Sequence, residues 1–301
     1  MLKPLPTLRQ LRYLTALAQH RHFGRAADAC FATQSTVSAG LVELETLLNV
    51  TLVERSRRRV LMTPLGQQIA ERAQKILQSA EDLVDLAQLS GQDPLSGPLN
   101  LGVIPTIAPY VLPMLLPVLR QAFPKLKLHL REDLTANLLD RLTGGTLDIV
   151  LIALPYQTEG LECVALSDDP FVFACMPDHA LAAHADICAH DLDGAGLVLL
   201  EEGHCLRDHS LAACSLSALD LGETIQATSL ATLVQMVASG LGVTILPQLA
   251  VDRGVLAGTH IITRPLAPPS SSRELALCWR DSAVRKPEFQ LLAQHFKSCL
   301  T

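Results

Sequence analysis

Phe23-Gly24-Arg25-Ala26-Ala27-Asp28-Ala29-Cys30-Phe31-Ala32-Thr33-Gln34-Ser35-Thr36-Val37-Ser38 is the run from which the rest of the chain can be read. Small residues at Ala26 and Ala27 let a short helix over Gly24–Cys30 pack closely on its neighbours. Phe31-Ala32 makes a turn. Thr33 or Ser35 then caps a further helix that runs through Leu41, Leu44, Leu47 and Leu48. Two short helices across a tight turn form a helix-turn-helix. The short polar side chains of Gln34, Ser35, Thr36 and Ser38 open its second helix, where they reach base edges and phosphates of a major groove. A plain packing unit of three helices, with Ser and Thr as caps, is the alternative.

Working outward, Leu8, Leu11, Leu14 and Leu17 recur at helical spacing before this run. After it, two β-prone segments flank the basic turn of Arg55, Arg57, Arg58 and Arg59 and read as a hairpin wing. Such a cluster supplies sequence-independent phosphate attraction, although a charge run is often only a solvated face. Residues 1–66 carry nine Lys/Arg against four acids, a net +5, so the rest of the chain holds −11 of the total −6. A small basic unit on an acidic body suits a module appended for a polyanion.

Phe23-Gly24-Arg25-Ala26-Ala27, Gln34-Ser35-Thr36-Val37-Ser38, Leu44-Glu45, Leu52-Val53-Glu54-Arg55 and Leu61-Met62-Thr63-Pro64-Leu65-Gly66 together resemble the winged helix-turn-helix of LysR-type transcriptional regulators. Asn49 and Val53 depart from that pattern, where glycine and phenylalanine are usual. The resemblance implies an α+β protein in three parts. A winged helix-turn-helix occupies 1–63 and a linker and dimerisation helix 64–92. A two-subdomain α/β regulatory domain like periplasmic binding proteins occupies 93–301, with subdomain I at 93–167 and 268–301 and subdomain II at 168–267.

The linker fits that frame. Pro64 opens a helix without a breaker until Gly91, and Ile69, Ile76 and Leu83, with Ala73, Ala80 and Ala87, make one apolar stripe. Such a stripe pairs with another helix or lies on its own domain; the resemblance implies pairing of two subunits, with tetramers common. Beyond Pro98, strands and helices alternate in a pattern that predicts a mostly parallel sheet with helices on both faces.

Composition sets the remaining bounds. The 301 residues are 49% hydrophobic and 18% charged, which suits globular domains and a large core. Eight irregularly spaced cysteines and no secretory signal pattern set the expectation of a cytoplasmic chain with reduced thiols. Cys163, Cys175 and Cys278 read as core residues. No run reads as a membrane span, and no spacing of His and Cys suits a metal; no cofactor is expected.

The chemistry concentrates in Gly203-His204-Cys205-Leu206-Arg207-Asp208, followed by Cys214. A thiol flanked by His204 and Arg207 is a candidate for thiolate stabilisation, and Cys214 is near enough in chain to resolve an oxidised Cys205. Two ordinary cysteines remain the bland reading. Thr106 and Thr135 follow strands, where ligands of open α/β sheets collect, or merely cap helices. Arg273, at the start of a strand, is a further candidate.

Ile104-Pro105-Thr106-Ile107-Ala108-Pro109-Tyr110 together with the cysteine run resembles one branch of the family, the OxyR peroxide sensors. That resemblance implies a redox-sensing regulator and not an enzyme. Cys205 is attacked by hydrogen peroxide and Cys214 closes a disulfide. Thr106, Thr135, His204, Arg207, Asp208 and Arg273 bind or activate the peroxide. It further implies promoter DNA, a second copy of the chain, RNA polymerase and a cellular thiol reductant as partners. The competing expectations are a LysR-type regulator of a small organic effector and a thiol peroxidase.

Overall fold

The computed structural model describes residues 4–55, 60–89, 93–213, 225–267 and 272–300. Arg57, Arg58, Arg59 and Cys214 therefore lie outside the described residues, as does the side chain of Arg55. The chain divides into two compact units, 1–91 and 92–301.

The first unit contains α1 (Leu8–His20), α2 (Phe23–Ala29), α3 (Gln34–Leu48), β1 (Val53–Arg55), β2 (Val60–Met62) and α4 (Pro64–Leu89). Thr7 and Gln10 form a capping box on α1, and Thr33 caps α3 by accepting from the Thr36 amide. Tyr13, Leu14, Leu17, Ala26, Ala27, Val37, Leu41 and Leu44 close the core. The motif residues have identifiable jobs. Glu45 accepts from the amides of Leu52 and Val53 (2.8 and 3.1 Å), which ties α3 to the start of the wing. Thr63 receives the Gly66 amide, and a Cβ at Gly66 would strike the Leu52 carbonyl. Asn49 sits at φ 53°, a left-handed cap that asparagine tolerates in place of glycine.

On α4 the apolar residues serve two faces. Ala73 and Leu77 are buried against Leu11 of α1, while Ile76, Leu83 and Val84 are exposed. Part of the predicted stripe is thus covered by its own unit. Among the described residues no helix is long and apolar enough to cross a membrane.

The second unit runs β3 (Gly97–Val103), α5 (Ala108–Ala122), β4 (Leu126–Glu132), α6 (Thr135–Thr143), β5 (Ile149–Leu154), β6 (Leu161–Cys175), β7 (Leu199–Leu200), α7 (Cys205–Ala213), β8 (Gln226–Ala227), α8 (Leu230–Ala238), β9 (Thr244–Pro247), α9 (Gln248–Asp252), β10 (Ile262–Pro265), β11 (Ser272–Arg280) and α10 (Lys286–Leu300). The expected mostly parallel sheet is corrected. Strand order is β10-β6-β11-β5-β3-β4 with β9 also on β6, and only β3 runs parallel to its neighbours β4 and β5. The pairs of β6 with β9, β10 and β11, and of β11 with β5, are antiparallel. The reason is β6 itself: residues 161–170 pair with β11, while 171–175 pair with β9 and β10, so one strand serves two lobes.

Each lobe has its own core. The first gathers Leu101, Ile107, Leu138, Ile149, Leu151, Leu277, Trp279 and Phe289; the second gathers Phe173, Leu199, Leu206, Leu233, Val237 and Ile245. Cys205 belongs to the first core although its helical neighbours Leu206 and Leu211 belong to the second. The first turn of α7 therefore lies where the lobes meet.

Cys163 and Cys278 are not separate core thiols. They face each other across β6 and β11 with Cα atoms 4.1 Å apart and are joined as a disulfide. A partner 115 residues away is invisible to local pattern. Closing so long a loop restricts the unfolded chain, so Cys278→Ser is expected to lower stability by about 2–4 kcal/mol relative to the bridged protein. Denaturant titration with and without reductant checks this: an unchanged midpoint for the wild-type chain would mean the bridge contributes nothing.

Candidate functional site

The turn Glu201–His204 follows β7 and ends on α7, whose first residue is Cys205. Gly203 makes the turn at φ +97°, a left-handed value that a side chain resists. The cysteine sulfur thus sits at a helix N-terminus, where unpaired amides favour negative charge. It is 6% exposed.

Around it is a cavity of about 10 Å³ lined by Ile104, Pro105, Thr106, Leu134, Thr135, Gly203, His204 and Cys205. Thr106, Thr135 and His204 are all buried. Neither threonine caps a helix with its side chain: the cap positions before α5 and α6 are Ile107 and Leu134, with no side-chain cap bond. The Thr135 hydroxyl favours the Cys205 thiolate, yet that buried oxygen makes no hydrogen bond that meets distance and angle criteria.

Arg273 organises the other side. It is fully buried, donates from Nε to Asp169 Oδ2 at 2.9 Å, and places Nη2 at 2.9 Å from the same oxygen. Its Nη1 donates to Thr106 Oγ1 (2.9 Å) and its Nη2 to the Thr106 carbonyl (3.2 Å). Asp169 Oδ1 accepts from the Leu249 amide at 2.8 Å, so both carboxylate oxygens are engaged. Because a guanidinium can only donate, Thr106 Oγ1 must accept from it, which frees the hydroxyl proton for another acceptor.

Electrostatics at the thiol differ from the expected picture. Burial raises the Cys205 pKa above its ordinary value; Thr135, the Arg273 charge and the cysteine's own amide pull it down, and Asp208 pushes it up. Arg207 is engaged elsewhere. It is buried with Nη1 donating to the Leu200 carbonyl at 3.3 Å, so it braces the turn from behind. Asp208 is exposed, and its negative charge opposes thiolate formation. Burial also lowers the His204 pKa, opposed by Glu201 and the backbone of Thr228, so His204 is a neutral donor or acceptor at neutral pH. Sequence order had put Arg207 beside the sulfur, but a helix turns successive side chains about 100° apart.

The structure thus groups Thr106, Thr135, His204 and Cys205 on one cavity with Arg273 behind Thr106, and leaves Arg207 and Asp208 off it. Asp169 was missed by the sequence reading, since its role depends on a pairing 104 residues long. No group of three or more His, Cys, Asp or Glu suited to a metal ion is present among the described residues.

At the other unit, Gln34 and Ser35 are exposed, and Thr36 and Ser38 are half-buried. The hydroxyls of Ser35 and Thr36 lie 2.9 and 2.7 Å from Thr33 Oγ1, so the cap draws two of the four polar groups into its own network. Phe31, in the turn, is fully exposed at φ 50°.

Residues 8–67 match the bacterial regulatory helix-turn-helix of the lysR family, and residues 92–300 match the LysR substrate binding domain. Over 97% of both chains, the sequence is 42% identical to the HTH-type transcriptional regulator EstR of Acinetobacter baylyi. It is 40% identical to the hydrogen peroxide-inducible genes activator of Dickeya chrysanthemi, over 95% of this chain and 93% of that one. Full-length OxyR from Pseudomonas aeruginosa, solved with a cysteine-to-aspartate substitution, superposes with a TM-score of 0.81 at 41% identity, covering 98% and 99% of the two chains. With both halves matched and relatives spanning nearly its whole length, the chain belongs to the LysR family of bacterial transcriptional regulators.

Proposed function

We propose that the chain is a peroxide-responsive regulator of transcription in which Cys205 is the point of attack. The observation that carries this reading is the cavity: about 10 Å³, floored by a thiol at a helix N-terminus and lined by two buried threonine hydroxyls. Space on that scale suits a molecule near the size of water and is too small for an organic effector at this thiol. The name of the Dickeya relative points the same way.

The chemistry is a two-step oxidation. The Cys205 thiolate attacks one peroxide oxygen, the O–O bond breaks, and hydroxide leaves, giving a sulfenic acid. Thr106, whose proton Arg273 leaves free, and Thr135 donate to the peroxide oxygens and offset charge on the leaving one. The Cys214 thiol then displaces the sulfenic hydroxyl as water and closes a disulfide. A thiol reductant resets it by exchange. The protein reacts with one peroxide and is re-reduced slowly, as a sensor and not a turnover enzyme.

Closure requires α7 to unwind. Residues 205 and 213 are eight steps apart on a helix, roughly 12 Å of rise. One further residue shortens that by at most about 3.8 Å, so with α7 intact the Cys205 and Cys214 Cα atoms stay at least about 8 Å apart. A disulfide tolerates no more than about 7 Å.

The division of labour follows the chain: 1–63 reads promoter DNA through Gln34, Ser35, Thr36, Ser38 and the arginines 55 and 57–59. Residues 64–92 pair two copies through the exposed Ile76, Leu83 and Val84, and 93–301 senses. Tetramers and contact with RNA polymerase are the wider assembly this reading carries.

Mass spectrometry after one equivalent of hydrogen peroxide is the direct test. A Cys205–Cys214 peptide pair, two hydrogens lighter than the thiols, is expected; a chain whose Cys205 stays reduced sinks the reading. The raised thiol pKa adds a pH signature. With the pKa above its ordinary value, the thiolate is the minor form at neutrality, so the oxidation rate is expected to climb about tenfold per pH unit from 6 to 8. Rates at a plateau across that window would show a thiolate already formed.

A further inference from the structure

Among the buried titratable groups outside that chemistry, His209 has a particular place. His209 stands one turn beyond Cys205 on α7, so the two side chains project from the same helical face. Both meet the first lobe. Cys205 enters its core, and the His209 imidazole Nε2 lies 2.9 Å from the Pro155 carbonyl, just beyond the end of β5. A carbonyl only accepts, so Nε2 carries the proton and the ring is in its Nε2–H tautomer. Nδ1 is left as a buried lone pair with no partner. By contrast Leu206 and Leu211 of the same helix pack into the second lobe. α7 is therefore built on one core and fastened to the other through Cys205 and His209.

We propose that His209 is the latch that holds α7 wound against the first lobe in the reduced protein, and that its release sets the rate at which the oxidised Cys205 meets Cys214. The proposal rests on the peroxide-sensor reading. Residues 205–213 must lose helical form before the sulfurs can bond, and His209 is a mid-helix residue whose polar bond crosses to a different lobe. The contact is neutral: burial first, then the Arg273 charge, push the imidazole pKa down, against the Pro155 bond and Asp208. The orphaned Nδ1 makes the latch weak, because the ring is buried while only one of its nitrogens is satisfied. A contact that is specific but incompletely satisfied suits a device that must open. His209 is a positioning residue: it touches neither peroxide nor sulfur in the steps above.

The test uses the full chain with His209→Ala and His209→Gln, since a glutamine amide can still donate to the Pro155 carbonyl. In the reduced protein without peroxide, hydrogen exchange of the α7 amides is expected to quicken about fivefold in H209A, the effect of one lost neutral hydrogen bond. It should return towards wild type in H209Q, with the α8 amides unchanged in both. After peroxide, disulfide closure should quicken by a similar factor in H209A, while sulfenic acid formation changes little. Unchanged α7 exchange in H209A overturns the proposal. So does acceleration spread equally over α7 and α8, which would mean general destabilisation, or a glutamine that fails to rescue. A wild-type chain that forms no Cys205–Cys214 disulfide would instead remove the sensor reading and leave the exchange result standing, so the two failures are distinguishable.

Discussion

Cys205→Ser is expected to abolish the peroxide response of transcription while leaving DNA binding in place. An alcohol at this position is not ionised at neutral pH and is a far poorer nucleophile than a thiolate, so the rate of peroxide consumption by the protein should fall by at least about a thousandfold, or roughly 4 kcal/mol of barrier. The substitution is nearly isosteric in a site where the side chain is buried, so the fold should persist. Purified chain, peroxide decay and promoter binding measured together decide the matter. A serine variant that still switches would move sensing to another residue. One that lost DNA binding outright would show instead that the cysteine is structural.

The second large effect is expected at Asp169. Removing its carboxylate by Asp169→Ala strands the Arg273 guanidinium at zero exposure without its counter-ion. Breaking one partner of a buried pair costs about 3–5 kcal/mol, and for a domain of this size each kcal/mol lowers Tm by about 2–4 °C. A drop near 10 °C is therefore the expected result by calorimetry. Chemistry should suffer as well, because Arg273 fixes which way the Thr106 hydroxyl donates. The double replacement Asp169→Leu with Arg273→Met separates these roles. An apolar pair of similar bulk should recover most of the stability, while oxidation of Cys205 stays slow. If Asp169→Ala melts within about 1 °C of wild type, the ion pair is not the brace described here.

Much of the first unit was legible because its determinants are local. The helix cap at Thr33, the small residues of α2, and the Thr63-Pro64-Leu65-Gly66 corner act on neighbours a few positions away, and each occupies its own place in the motif. The cysteine turn was equally legible as a motif: Gly203 must adopt a left-handed φ and Cys205 must open a helix, and both are settled within three residues. Its electrostatics were not. Arg207 lies two positions from Cys205 in sequence yet is bonded to the Leu200 carbonyl, whereas the charge that favours the thiolate comes from Arg273, 68 positions on.

What the sequence determined by itself, then, was the family, the α+β architecture and the turn that carries Gly203 and Cys205. Each is written in short-range pattern, where side-chain periodicity and capping act within one element. Tertiary structure alone decided the mixed sheet through β6, the Cys163–Cys278 bridge, the Arg273–Asp169 brace and the hold of His209 on Pro155. All four join residues from 54 to 119 positions apart. Strand register and helix rotation fix such partners, and both are set when the cores pack.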